Sequence, residues 1–588
     1  MQSSTPRESG DLHVHAVTTQ IRNYLDSQVL PEPGEIASAT ARFIIEKHND
    51  IVEVTNKFEA DNSNTAPDLA LRKNDGETVC VNLYKIKNNQ TIQPKNLGAK
   101  SFIEKYFGSP NLQGEFNSYF ESAYRGFLSA TTAAFSENFK KNATERELKD
   151  ELKKVCPKFV PELEEFRSKF LYELREKCFG LFIKEYNQAS GAIEQAFNAL
   201  FMTSSFNVIT RYDGNVLKGV EEFRVDVHET KNVSISKVGM NSVGITSDDI
   251  TLLLRFKFES SPTSSIKLAT SYSKPKVNQT IVNGNLRALS RFNEALSGEF
   301  KPEGSKANPN AIGKCSEAIF YSQILKVNSS ARQLDENNFI DMFKKYSPNI
   351  TENECEYITK TTVGAVDGLM EFLKRKHGEY TMDSIELVPD AYLDNRLDTA
   401  DIELILKVDN KYVSEPISLK AIAKASNEIN CKNPGIGQIL GPTYFGLAQD
   451  ELNAVLNDAK SQFAGNKLDH RGVLEAISKN IGVQLVQAAN DQQEKIIKGA
   501  ESLLGKALVV VVYYTDNKYA ILEHDFSISK VEVYPESPSL IQTTLSWSDN
   551  DEEIRLRVKF SGSQRKGWTS VKLACAHIFP RSKILNIP

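Results

Sequence analysis

The feature that most restricts what this chain can fold into is a pattern that occurs twice. Thr65–Lys85 reads TAPDLALRKNDGETVCVNLYK, and Thr399–Lys420 reads TADIELILKVDNKYVSEPISLK. Each begins Thr-Ala and sets an Asp at the entry of an alternating apolar stretch. Each then turns through polar residues and returns along a second apolar stretch ending in Lys. Period-2 alternation on both arms predicts a β-hairpin with one face in a core and the other in a cleft. On this reading Asp401, Ser418 and Lys420 share the cleft side.

The repetition continues on either side of the hairpins. FIIEKH at 43–48 and FLKRKH at 372–377 close amphipathic helices ahead of them. PKNLG at 94–98 followed by YFG at 106–108 matches CKNPG at 431–435 followed by YFG at 444–446. Farther on, LLLRFKFES at 252–260 resembles IRLRVKFSG at 554–562, and IKLATS at 266–271 resembles VKLACA at 571–576. Blocks in one order predict a tandem duplication of a single α+β unit. The expected layout is a disordered lead-in over 1–12, a first unit over 13–283, a connector over 284–335 and a second unit over 336–588. One pairing is ambiguous by spacing alone, since Pro67 stands opposite Asp401 when no gap is allowed. Alternation selects Asp68, because Leu69 and Leu71 then share the buried face with Ile402 and Leu404.

At 588 residues the chain exceeds a single core of ordinary size. Its composition, 40% hydrophobic and 25% charged, is that of a water-soluble globular protein. No apolar run approaches a membrane span, and the start MQSSTPRESG has no signal pattern, so an intracellular protein with no membrane partner is expected. Seven Cys without CxxC spacing predict reduced thiols and no zinc site. The net charge of −5 excludes a chain-wide nucleic-acid footprint and leaves room for a local basic cleft. Walker, GxGxxG, HExxH and GxSxG signatures are absent.

Asp68 with a strand ending Leu83, Tyr84, Lys85, and Asp401 with Ser418, Leu419, Lys420, resemble the core of the PD-(D/E)xK nuclease superfamily. The resemblance covers the hairpin and adjacent helices of each copy. It implies two restriction-endonuclease-like mixed sheets flanked by helices, Mg²⁺-dependent hydrolysis, and a nucleic acid, DNA rather than RNA, as partner. A dimer or other homo-oligomer is compatible with it. The sequence departs from the pattern at the acid two residues before the Lys, which is Leu83 in the first copy and Ser418 in the second. Leu cannot ligate Mg²⁺, so the first copy (Asp68, Leu83, Lys85) is expected to be degenerate. The second would hold metal through Asp401 and a carboxylate recruited from Glu371, Glu403, Glu415 or Asp367, with Lys420 orienting water. Gln438 loosely resembles the Gln of RecB-like nucleases, and Lys95, Lys100 and Lys432 are candidate phosphate contacts. The competing reading is a catalytically dead tandem scaffold able to self-assemble.

Overall fold

The computed structural model describes every residue except 1–5, 60–66, 89–91, 93–95, 141, 187–190, 202–203, 225–232, 248–249, 274–277, 307, 335–337, 390–399, 410, 432, 525–527, 548–550, 563–566 and 588. The chain is α+β and divides into two compact units, Met1–Lys276 and Val277–Pro588. The stretch 284–335, expected to be a connector, therefore belongs to the second unit. Nor is the lead-in over 1–12 separate throughout, because the first helix begins at Pro6.

Unit 1 opens with α1 (Pro6–Ser27) and α2 (Ile36–Lys47), followed by β1 (Ile51–Asn56), β2 (Leu69–Lys73), β3 (Thr78–Lys87) and β4 (Asn96–Gly98). A helical stretch follows: α3 (Phe102–Phe107), α4 (Pro110–Phe135), α5 (Glu145–Val155), α6 (Glu164–Tyr186) and α7 (Gly191–Phe201). The unit closes with β5 (Phe206–Asp213), β6 (Val216–Glu222), β7 (Val233–Val238), β8 (Ser242–Ser247), β9 (Ile250–Phe258) and β10 (Ile266–Ser273). Its first sheet has the order β1-β2-β3-β5-β6 and its second β4-β10-β9-β8-β7. Among the described strands of this unit only β3 and β5 run parallel, which requires the long helical crossover between them.

Unit 2 begins with α8 (Asn278–Ala295), α9 (Pro309–Val327), β11 (Arg332–Gln333), α10 (Asn338–Tyr346) and α11 (Glu352–His377). Then come β12 (Thr381–Leu387), β13 (Ile402–Val408), β14 (Lys411–Ile422) and β15 (Glu428–Asn430). The crossover is α12 (Asp450–Ala464), α13 (His470–Asp491) and α14 (Gln493–Leu504). The last strands are β16 (Leu508–Tyr513), β17 (Lys518–Leu522), β18 (Glu532–Pro535), β19 (Gln542–Trp547), β20 (Glu552–Phe560), β21 (Val571–Ile578) and β22 (Ile584–Asn586). The sheets are β11-β12-β13-β14-β16-β17-β22 and β15-β21-β20-β19-β18. Without the flanking β11 and β22, both orders repeat those of unit 1, and β14 and β16 are again parallel across the helical crossover.

Alternation decides which faces are covered. Ile402, Leu404, Leu406, Ile417 and Leu419 form one core with helices α8 to α11. Val509, Val511, Tyr513, Ala520 and Leu522 belong to a separate cluster on the opposite face of the same sheet. In unit 1, Leu69, Leu71 and Val81 pack with Val14, Val17, Ile44 and Ile45 of α1 and α2. Helix α11 is sharply bounded. Thr351 and Glu354 form a reciprocal capping box, basic residues fill the last turn, and Gly378 ends it at positive φ.

Candidate active site

The site is built at the entry of β13. Ile402 pairs with Ile417, so Asp401 stands beside Ser418, off the core face. The Asp401 backbone N–H donates to the Ile417 carbonyl, and its Oδ2 accepts from the Leu419 N–H at 2.6 Å and the Ser418 hydroxyl at 3.3 Å. The carboxylate thus extends the strand ladder by one rung and is fixed at the sheet margin. Glu403 follows two residues on and accepts from Ser414 Oγ at 2.6 Å. Lys420 is two residues past Ser418, half-buried on the same face, and has no hydrogen-bond or ion-pair partner among the described residues.

Glu386 on β12 is directly opposite Glu403 and buried. A carboxylate oxygen of each lies within 4.8 Å of the other. Opposed like charges repel, and a hard divalent cation held by oxygen donors relieves that repulsion. Glu403 and Glu386 thus offer oxygen donors suited to Mg²⁺, while Asp401 lies on the same sheet face but outside their 4.8 Å grouping. Sequence reading missed Glu386. Its signal was an acid inside the apolar run of β12, at a position that alternation would have placed on the Glu403 face.

Three expected acids lie elsewhere. Glu371 was expected to hold metal with Asp401, but it sits on α11, which packs on the core face of the sheet. It contributes to the charge environment of Tyr519 on β17, two strands away from β14 in the sheet order. Asp367 shares that place. Glu415 is also on the core face, opposite Leu404. It accepts from His377 Nε2 at 2.7 Å and Lys376 Nζ at 2.8 Å, fastening the end of α11 to β14. Burial alone would lower the Lys376 ammonium, but Glu415 and Glu523 outweigh it and hold the pKa above its ordinary value.

Gln438 is exposed on the short turn Ile436–Gln438, and nearby Tyr444 is buried in the core of the second sheet. Lys100 is paired with Glu121 at 3.1 Å. Lys95 and Lys432 lie outside the described residues.

The same construction in unit 1 carries different residues. Asp68 Oδ2 accepts from the Leu83 N–H at 2.9 Å, as Asp401 does from Leu419. Leu69 pairs with Val81 as Ile402 pairs with Ile417. Asn82 and Tyr84 therefore stand where Ser418 and Lys420 stand, which corrects the expected counterparts Leu83 and Lys85 by one residue. Lys85 points to the helix face, toward Ser9 and the ring of Tyr212. Thr55 and Ala70 form the pair that is Glu386 and Glu403 in unit 2. Asp68 is bridged by Lys57 at 3.1 Å, which also pairs with Asp11 at 2.9 Å. Burial, followed by the charge of Asp68, pushes the Tyr84 hydroxyl up. Unit 1 keeps the first acid, neutralised by a lysine, and none of the others.

Two α+β units, each with a mixed sheet carrying an Asp at the margin of a hairpin, and one with an acid–lysine face, define a nuclease-like class. Over 568 residues the chain is 39% identical to the type II restriction enzyme BsuRI of Bacillus subtilis, covering 96% of this chain and 97% of that one. The chain belongs to the family of type II restriction enzymes represented by BsuRI, and its role is that of a nuclease or DNA-binding protein. No family model and no solved structure matches it. No described helix is long and apolar enough to cross a membrane.

Proposed function

We propose that the chain is a Mg²⁺-dependent DNA endonuclease of PD-(D/E)xK type, duplicated, with its chemistry in unit 2. The observation that carries this reading is the shared sheet face of Asp401, Glu403, Glu386, Ser418 and Lys420, set against its loss in unit 1. Glu403 and Glu386, with Asp401 on the same sheet face, are the residues that would hold the metal. When bound, the ion supplies charge stabilisation for the scissile phosphate and a water of lowered pKa.

The chain's own contribution is positional. The Leu419 N–H and Ser418 hydroxyl fix the Asp401 carboxylate, and Ser414 fixes Glu403. Ser418 occupies the place of the second acid, and Glu403 and Glu386 restore the missing carboxylate from the neighbouring strands. Lys420 presents an ammonium with no carboxylate partner among the described residues, suited to hold the attacking water or stabilise the charge developing on phosphate. Asp401→Ala and Lys420→Ala should each lower the single-turnover cleavage rate by about 10² or more. Failure of the unaltered protein to cut single- or double-stranded DNA with Mg²⁺ or Mn²⁺ would refute the proposal.

A further inference from the structure

The second sheet of each unit repeats a cluster of cations at one register. In unit 1, Lys257 on β9 is directly opposite Lys267 on β10, and Arg255 is opposite Ala269. In unit 2, Lys559 on β20 is directly opposite Lys572 on β21, and Arg557 is opposite Ala574. Their strand neighbours, Leu254 and Phe256 in one unit and Leu556 and Val558 in the other, are buried with the helices. All six cations therefore lie on the face turned away from them, near the β9–β10 and β20–β21 hairpins. Arg255 and Arg557 are exposed, and the four lysines are half-buried. None of the six is paired with a carboxylate among the described residues.

Directly opposed like charges destabilise a sheet. The same unfavourable lysine pair, flanked by the same arginine beside an alanine, occurs twice in a chain whose net charge is −5. A polyanion relieves the repulsion, and the exposed Arg255 and Arg557 mark where it would reach each pair.

We propose that both hairpin faces are contacts for the phosphate backbone of duplex DNA, so that unit 1 binds DNA although it lacks the acid cluster. This rests on the nuclease reading for its partner but not for its test. Binding of a fluorescein-labelled mixed-sequence duplex to the full chain is measured without divalent metal across a salt series. Alanine at Arg255, Lys257 and Lys267, or at Arg557, Lys559 and Lys572, should reduce the slope of log K against log salt by about 2 to 3 in each case. The loss should be alike for all sequences, with the cleavage rate of saturated complex unchanged. Lys257→Glu and Lys559→Glu create cross-strand ion pairs, so they should raise Tm while weakening binding. Unchanged slopes in variants of a protein that cuts DNA would overturn this inference alone. Reduced slopes in a protein that does not cut would uphold the contact and overturn the nuclease reading.

Discussion

Asp68 and Asp401 occupy one structural position and differ in company. Asp401 has Glu403, Glu386 and Lys420 on its face, whereas Asp68 has Ala70, Thr55 and Tyr84, with Lys57 against its carboxylate. If carboxylate position governs metal binding, Glu386→Gln and Glu403→Gln should each depress Mg²⁺-dependent cleavage, while Glu371→Gln should leave it within a factor of about two. A Mg²⁺ titration of the cleavage rate reads both. Alternation made the Asp and the acid–lysine face of unit 2 legible in the sequence. The unit 1 counterparts were misplaced because both hairpins end in Lys, and matching those ends slips β3 by one residue, which reverses every side chain. The register is set by the Asp carboxylate binding the strand, an interaction no motif displays. A second residue, His13, gives a pH prediction. Burial, with Lys85 nearby, lowers its pKa to about 4, and its Nε2 has no hydrogen-bond partner among the described residues. Above pH 6.5 the ring is neutral folded and unfolded. Below it the unfolded chain takes the proton first, so stability should fall between about pH 6.5 and 4, by up to about 3 kcal/mol. Urea melts of His13→Gln across that range should show a shallower decline than the parent protein.

At the scale of elements, α11 depends on glycines. A Cβ at Gly368 would overlap the ring of Tyr519 on β17, and one at Gly364 would overlap Ile587, just past β22. Alanine gains about 1 kcal/mol of helix propensity at either position. Tyr519 is packed in the core and cannot withdraw, so overpacking should win at Gly368, and Gly368→Ala should cost about 1–2 kcal/mol net. Ile587 follows a terminal three-residue strand that can shift, so Gly364→Ala should be closer to neutral. Denaturant midpoints of the two variants measure the difference. The hairpins and helical crossovers were readable from period and length. Helix α9 was not, because KPEGSKANPNAIGK carries the Pro and Gly of a connector. In the fold, the Asn308 side chain caps α9 and Pro309 takes the first turn, where its missing N–H costs nothing.

At the scale of the whole chain, two units share their strand orders, and their parallel pairs are joined through helical crossovers of different length. The shared strand order was legible because short blocks kept their order. The division at Lys276 was not, since α8 and α9 join the second unit through burial of Phe292, Ile319 and Tyr321, a tertiary fact. One unit with an acid–lysine face and another with its residues replaced predict asymmetric chemistry from symmetric architecture. The most direct measurement is single-turnover cleavage of duplex DNA with Mg²⁺ by Asp401→Ala and Asp68→Ala, each shown to bind the duplex. Asp401→Ala should abolish cleavage, and Asp68→Ala should cut at the parent rate. Equal loss from both substitutions, or full activity of Asp401→Ala, would contradict that asymmetry.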